Sequence, residues 1–330
     1  MIKLLRVHGS ENSFILLDQE QLEIPMNPDQ LIQLAIQVTN NQTGLLGGLT
    51  DGLLVVSSSE HAGVRGRMQV INNDGSFASM CGNGLRTVAR YLAEKYEEND
   101  FLVQTDQADL HVGRVATIGN GLPTYQVEIS PVSFNAKNLP MQIENQDKLF
   151  NAPVRDFDDQ LLFSAVAVPN PHLIAIDNNN RLSTKKLAEL GHRLNASNPW
   201  FPKGVNVSFG RVIGQNQLFV QTYERGVGFT NACGTGMSAT SLVWSLLNDG
   251  QTRLGEVNDI FNPGGMVKTR VNQIHGAYTI DLIGNATFTH QIWIDEDQLR
   301  QNNLEQVQIE STGEELHYQE FIRQLPRYRF

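Results

Sequence analysis

Cys81-Gly82-Asn83-Gly84 and Cys233-Gly234-Thr235-Gly236 are two copies of one pattern, CGxG, and they hold the only two cysteines of the 330-residue chain. Each runs straight into a stretch with helical apolar spacing. Leu85, Val88, Ala89 and Leu92 follow the first copy, and Leu242, Val243, Leu246 and Leu247 follow the second. The second helix is expected to stop at Asn248-Asp249-Gly250. Matching helical context makes an internal duplication, with cysteine as the repeated element, the stronger reading over chance. A helix N-terminus presents unpaired backbone N–H groups and a positive dipole end, and glycine lets an anionic group approach the backbone closely. The same field is expected to lower each thiol pKa from about 8.5 towards neutrality, which makes a thiolate accessible.

Outward from these loops the chain alternates short strands with a few helices. Leu4 to His8 and Phe14 to Asp18 read as strands around a polar turn, and Asn27-Pro28 caps a helix carrying Leu31, Leu34, Ala35 and Val38 on one face. Leu53 to Ser57, Arg67 to Ile71, 101–105, 110–115 and 124–129 read as further strands, with a helix from Cys81 to about Tyr96. The polar stretch from Ser133 to Gln160 is the linker candidate. The second half repeats the plan. Strands are expected at Phe163 to Val168 and Leu173 to Asp177, then a Ser183-capped helix with Leu187, Leu190 and Leu194. Strands at Val205 to Phe209 and Leu218 to Tyr223 lead into the second CGxG, and Val267 to Val271, Tyr278 to Leu282 and Phe288 to Ile294 close the body. Residues 295–330 form a polar tail with some helical pattern around Leu316, Phe321 and Leu325.

Composition narrows the function classes. With 40% hydrophobic and 8% aromatic residues, the chain can build real cores. Its longest aliphatic runs, such as Leu53 to Val56, are far short of the roughly 18 residues of a membrane helix. Lys3 and Arg6 are followed by His8, Glu11 and Asn12 without an apolar segment, so no secretory leader or membrane anchor is expected there. A net charge of −10 without a basic cluster argues against nucleic acid or an anionic membrane as partner. Sparse cysteine suits a reducing cytoplasm. No CxxC, HxxxH or HExxH occurs, so no metal site is expected.

Three chemistries compete for two such thiols. A disulfide between helix starts is disfavoured in a cytoplasm and leaves the glycines unexplained. A thiol peroxidase or exchange enzyme, with an attacking and a resolving cysteine, fits loosely. Racemisation at an acidic carbon fits best, because inversion needs a base on one face and an acid on the other. The helix N-termini would then hold a carboxylate and stabilise the carbanion-like transition state.

The ordered motifs resemble the diaminopimelate epimerase family over most of residues 1–294. They are His8-Gly9 with Asn12 and Phe14; Asn72 before Asp74-Gly75-Ser76; Cys81-Gly82-Asn83-Gly84 with Arg86; Asn170-Pro171-His172; Phe201-Pro202 with Val205-Asn206-Val207; Glu224-Arg225-Gly226-Val227-Gly228; and Ala232-Cys233-Gly234-Thr235-Gly236. The resemblance implies interconversion of LL- and meso-2,6-diaminopimelate without pyridoxal phosphate, in lysine and peptidoglycan precursor synthesis. It implies Cys81 and Cys233 as the catalytic acid/base pair on opposite sides of the reacting α-carbon, with Glu224 and His172 assisting proton transfer. Backbone at Gly82, Asn83, Gly234 and Thr235 would hold the reacting carboxylate. Asn12, Asn72, Asn170, Asn206 and Arg225, with Glu224, would bind substrate, chiefly its distal end. No cofactor is implied. The fold expected is α+β: two pseudo-symmetric domains, each a mainly antiparallel sheet or barrel wrapped around a central helix, with the active site in the interdomain cleft. Residues 1–130, completed by 285–294, would form the first domain, 131–284 the second, and 295–330 an extension of unassigned role. The oligomeric state stays open, a homodimer among the options.

Departures from the family pattern fall in loops. Glu11 stands where glycine is usual and Ser13 where aspartate is; Gly52, Pro169 and Phe229 replace glutamine, glycine and glutamate. Plainer readings exist for several residues: asparagines beside turns commonly just form them, and Glu224-Arg225 could be an exposed ion pair. Gly234-Thr235-Gly236-Met237-Ser238-Ala239 spells a dinucleotide GxGxxA, but the last clear strand ends near Tyr223, too far upstream for the tight strand-to-helix turn. The rival functions are a proline racemase-type or other amino-acid epimerase, and a catalytically silent amino-acid-binding paralogue.

Overall fold

The computed structural model describes residues 1–119, 121–143, 147–247 and 253–330. Local sequence sets the first helix, α1 (Pro28–Val38). The Asn27 side chain accepts the Gln30 N–H at 3.0 Å, the Gln30 side chain accepts the Asn27 N–H at 3.0 Å, and Pro28 takes the first turn, where no N–H is needed. Before it, β1 (Ile2–Gly9) and β2 (Asn12–Asp18) form an antiparallel hairpin. After it, β3 (Gly52–Ser57) lies parallel to β2, with α1 in the crossover. β4 (Val64–Asn72) returns antiparallel to β3, and β5 (Phe77–Ala78) pairs briefly with β4. Then α2 (Gly82–Tyr96) crosses to β6 (Asp100–Gln104), parallel to β4, and β7 (Asp109–Arg114) and β8 (Thr124–Ile129) follow in antiparallel order.

The same order recurs. β9 (Ala152–Val154) pairs with β10 (Asp158–Ala167), which forms a hairpin with β11 (Pro171–Ile176). α3 (Thr184–Asn195) crosses to β12 (Asn206–Gly214), parallel to β11, and β13 (Gln217–Glu224) returns antiparallel. β14 (Gly228–Phe229) pairs with β13, and α4 (Gly234–Leu246) crosses to β15 (Val257–Asn262), parallel to β13. β16 (Gly265–Ile274) pairs antiparallel with β15. β17 (Ala277–Asn285) and β18 (Thr287–Ile294) come next, then α5 (Glu296–Arg300), β19 (Gln308–Ser311) and α6 (Glu314–Gln324). β18 lies antiparallel to both β1 and β19. The duplication inferred from CGxG is therefore a duplication of topology: each copy follows a two-residue strand and opens the second crossover helix of its half.

The chain forms two compact units, 1–127 with 283–324, and 128–282 with 325–330. In the first, Leu31, Leu34, Ala35 and Val38 of α1 pack on Leu4, Ile15, Leu53 and Ile292 of the sheet, all 3% exposed or less. Each large side chain so buried contributes about 1.5–3 kcal/mol. In the second, Leu187, Leu190 and Leu194 of α3 pack on Phe163, Phe201 and Phe209. Helices α2 and α4 are more deeply enclosed. α4 is buried from Gly234 through Ser245, and the Ser238 and Thr240 hydroxyls satisfy themselves on the Gly234 and Gly236 carbonyls at 2.9 and 2.8 Å.

Two expectations need correction. The stretch 133–160 is no linker: Leu139, Met141, Leu149, Val154 and Phe157 belong to the core of the second unit. Their irregular spacing among polar residues hid them. Likewise, the tail is not simply polar. Residues 295–324 belong to the first unit, where α6 buries Tyr318 and Phe321 and leaves Leu316 71% exposed. Residues 325–330 belong to the second, where the Phe330 ring centroid lies 4.9 Å from that of Phe219. The expected helix stop at 248–250 lies outside the described residues. No helix among the described residues is long and apolar enough to cross a membrane.

Candidate active site

Cys81 is the N-cap of α2 and Cys233 the N-cap of α4. Sulfur does what a serine or aspartate oxygen usually does: the Gly84 N–H reaches Cys81 Sγ at 3.3 Å, and the Gly236 N–H reaches Cys233 Sγ at 3.3 Å. The last glycine of each motif is sterically required. A Cβ at position 84 would lie 2.8 Å from the Leu54 side chain and 3.4 Å from Cys81 Sγ; at 236 it would meet Thr222 Oγ1 at 2.5 Å and Cys233 Sγ at 3.2 Å. Glycine therefore lets each helix start pack tightly while its thiol stays folded back over the first turn.

In the first unit, Asn12 Oδ1 accepts from Cys81 Sγ at 3.4 Å and from Asn83 Nδ2 at 3.3 Å. The Asn12 amide is oriented by Asp51, whose Oδ2 accepts from Asn12 Nδ2 at 2.7 Å and from the Ser13 N–H at 2.8 Å. Asn72, at the end of β4, bonds within its own turn, Nδ2 to Ser76 Oγ at 3.0 Å. The structure thus joins Asn12, Cys81 and Asn83 directly and leaves Asn72 engaged as a turn residue. Arg86 lies one turn into α2, fully buried; Nε donates to the Asn285 carbonyl and Nη2 to Ser10 Oγ, each at 3.1 Å. Burial pulls its pKa down to about 10, so it stays cationic at neutral pH, and its charge acts on Cys81.

The second unit gathers its candidates into one polar chain. Cys233 Sγ lies 3.6 Å from Thr235 Oγ1, which accepts from Asn170 Nδ2 at 3.2 Å. His172 Nε2 faces Asn170 Oδ1 at 3.1 Å and Asn206 Nδ2 at 3.4 Å. One ring N–H cannot serve both, and the shorter contact fits Nε2–H donating to Asn170. Asn206 Oδ1 then accepts the Arg225 N–H at 2.8 Å, while Arg225 Nη1 donates to the Lys203 carbonyl at 3.2 Å and the guanidinium stays exposed. Glu224 Oε1 accepts from Thr230 and acts on Cys233 through charge and a hydrogen bond. Strand β14 lies nearer to α4 than the last strand expected from sequence, but Thr230-Asn231-Ala232 still separates it from Cys233.

Electrostatics correct one expectation. Burial pushes the Cys233 thiol well above its ordinary range, and the Glu224 carboxylate pushes it further; the bonds from Thr235 and the Gly236 N–H pull the other way and do not win. A helix N-terminus lowers a thiol pKa only when desolvation does not outweigh it. His172 goes down to about 3, first by burial and then by the Arg225 charge, so it is a neutral imidazole at physiological pH.

Between about pH 6.5 and pH 3 the unfolded chain takes up a proton that the folded His172 site refuses. Stability from this group is complete above the upper value and falls as pH drops, by on the order of a few kcal/mol. Urea unfolding at pH 7 and pH 4.5 should show a smaller acid loss in His172→Gln than in the wild type. Equal losses would mean that His172 does not carry this dependence.

Sequence reasoning missed Asp51 and the buried surroundings of Arg86, since both depend on segments distant in sequence. Among the described residues, no group of three or more His, Cys, Asp or Glu side chains is arranged to hold a metal ion.

Comparison with known proteins bears on this geometry. The family described as diaminopimelate epimerase matches residues 5–117 and 164–289. The chain is 49% identical over 325 residues to the diaminopimelate epimerase of Enterococcus faecalis, covering 98% of each chain. It is 48% identical over 332 residues to that of Lactiplantibacillus plantarum, covering 99% of each. Among solved structures, a Bacillus anthracis phenazine biosynthesis protein of the PhzF family superposes with a TM-score of 0.62 at 14% identity, over 88% of this chain and 97% of that one. A probable proline racemase from Agrobacterium radiobacter gives 0.58 at 15% identity, over 90% and 94%. At such identities the structural likeness shows the fold.

Proposed function

Because the chain belongs to the diaminopimelate epimerase family, we infer that it interconverts LL- and meso-2,6-diaminopimelate, an isomerase step of lysine and peptidoglycan precursor synthesis. The observation that carries the reading is the matched pair of thiols, each the N-cap of the second crossover helix of its repeat. Inversion at an α-carbon needs a proton removed from one face and another delivered to the opposite face. Two thiols, one ionised and one not, supply both and exchange roles in the reverse direction.

In this scheme the buried Cys233, held neutral beside Glu224, is the acid, and Cys81 becomes the base once it gives up the proton it shares with Asn12 Oδ1. Glu224 favours the protonated thiol before substrate arrives and can share its proton as charge develops. The first-turn backbone of α2 at Gly82 and Asn83, and of α4 at Gly234 and Thr235, holds the reacting carboxylate and stabilises the carbanion-like transition state. His172 works as a neutral imidazole that fixes Asn170. Asn170, Asn206 and Arg225 take the distal amino-acid end, with Asn12 contributing from the first unit and Asn72 joining it only by giving up its bond to Ser76. Two thiols complete the proton inventory, so the scheme requires neither a metal nor an organic cofactor. The reaction belongs in the cytoplasm, and nucleic acid has no part in it.

The test is incubation with meso-diaminopimelate in deuterated water, following isomer ratio and α-carbon label together. LL-isomer should accumulate with deuterium at the inverted carbon. Label without inversion, or neither, would overturn the two-base reading.

A further inference from the structure

Helix α6 lies beyond residue 289, where the family match ends, yet four of its side chains reach the elements around Cys81. Glu314 grips Arg90 of α2 with two bonds, Nη1 to Oε2 at 2.6 Å and Nη2 to Oε1 at 2.7 Å. Glu315 Oε2 accepts from His8 Nε2 at 2.9 Å. The other ring nitrogen, Nδ1, accepts the Glu11 N–H at 3.2 Å, which fixes Nε2 as the proton-bearing atom. Tyr318, 1% exposed, packs edge-on against His8 with ring centroids 4.6 Å apart, and its hydroxyl hydrogen-bonds Ser10. Gln319 Nε2 donates to Glu11 Oε1 at 3.4 Å and to Glu315 Oε1 at 2.8 Å.

These contacts converge on the two residues that need holding. Ser10 and Glu11 have φ of 55° and 65° and form the two-residue turn between β1 and β2, with Gly9 opposite Asn12. Such a turn wants glycine or asparagine; other L residues in the left-handed region cost roughly 1 kcal/mol or more each. The next residue is Asn12, whose Oδ1 meets Cys81 Sγ at 3.4 Å. Ser10 also receives Arg86 from α2. Relaxation of the turn would therefore move a side-chain amide that touches the first thiol.

We propose that α6 is a positioning element for Cys81: Glu315, Tyr318 and Gln319 hold the strained Ser10-Glu11 turn and so aim Asn12 at the thiol. The contacts of the three run to His8, Ser10 and Glu11, one step removed from the sulfur. The catalytic part of this inference rests on the proposed function, while the thiol part does not. A helix that merely covers core, as Phe321 does beside Gly119, would affect stability without singling out one cysteine.

The experiment uses the full-length chain carrying Glu315→Gln and Tyr318→Phe, singly and together. These changes remove a charge and a hydroxyl while keeping shape. In the double variant kcat should fall about 10- to 100-fold with KM within about twofold, the signature of a reacting group displaced by up to about an ångström. Independently of turnover, peptide-resolved iodoacetamide labelling of the native protein should show the Cys81 rate and its pH midpoint shifted, at least about fivefold in rate, with Cys233 unchanged. Adding Glu11→Gly should restore the Cys81 profile, because glycine adopts the turn without a clamp. A wild-type Cys81 profile in the double variant would overturn the proposal. So would parallel changes at both cysteines, or failure of Glu11→Gly to restore the profile. If the wild type proves inactive on diaminopimelate but the Cys81-selective shift and its rescue occur, the positioning role stands and the assigned reaction falls.

Discussion

Alanine in place of either Cys81 or Cys233 is expected to lower kcat for epimerisation by at least about 10³-fold, within the range a positioned acid or base contributes. Each variant keeps only one of the two proton carriers that inversion requires, so the losses should be similar and the double variant little worse. Folding is a separate matter. Each sulfur caps a helix, at 3.3 Å from the N–H three residues on, and losing a cap costs about 1 kcal/mol, or roughly 2–4 °C in a unit of this size. Serine restores the cap but not the chemistry, because its hydroxyl is far too weak an acid. Cys81→Ser and Cys233→Ser should therefore match wild-type stability and alanine-like activity. In deuterated water a single-thiol variant can still wash out α-hydrogen with retention, which would show the surviving base at work. Near wild-type inversion in any of the four variants would end the two-base scheme.

The part of the site that was readable in advance is the part set by neighbours in sequence. A cysteine followed by glycine, any residue and glycine at a helix start can cap that helix only in a narrow geometry, and both copies do so. Asn170, His172, Asn206, Glu224 and Arg225 also come together with Cys233 in the second unit, with His172 bonded to Asn170 at 3.1 Å, the Arg225 N–H bonded to Asn206 at 2.8 Å, and Asn206 Nδ2 3.4 Å from the His172 ring. What sequence could not supply is environment. The raised Cys233 pKa comes from burial and the nearby Glu224 carboxylate, and the depressed His172 pKa from burial beside Arg225. Asp51, 39 positions from Asn12, orients it through a contact that no local pattern announces.

The fold was legible where periodicity was clean. The Asn27-Pro28 start, the Ser183 cap and the apolar faces of α1 and α3 all follow from local rules, and both helices end where their apolar stripes end. The stretch 133–160 failed because its core residues keep neither helical nor strand spacing, and only tertiary packing recruits Leu139 and Leu149 to full burial. β15 went unseen because Val257-Asn258-Asp259-Ile260 looks polar, although Asn258 is fully buried. Helix α6 was visible as a weak pattern whose Phe321 is indeed buried, but Leu316 of the same pattern faces solvent and the second anchor, Tyr318, lay outside it.

Alanine and proline are expected to be racemised at least about 10⁴-fold less efficiently, in kcat/KM, than diaminopimelate, the scale on which a site built to hydrogen-bond a group rejects an analogue without it. A short substrate leaves polar groups of the site without partners. Asn206 is 4% exposed and commits its Oδ1 to the Arg225 backbone, and Asn170 is shared between His172 and Thr235. The second N–H and second lone pair left on each amide are directional groups that an apolar side chain cannot pair, and each one stranded away from water costs about 1–3 kcal/mol. Arg225 adds an exposed guanidinium suited to a bidentate grip on a distal carboxylate. Arg225→Met should accordingly raise KM for diaminopimelate by about 10- to 100-fold and change kcat much less, because the lost contact is made equally in ground and transition states. It should leave the already poor turnover of alanine untouched. Proline turnover comparable to that of diaminopimelate would transfer the assignment to a proline racemase-type enzyme. Tight binding of meso-diaminopimelate without inversion would instead identify a silent binding paralogue, in which the two thiols survive only as helix caps.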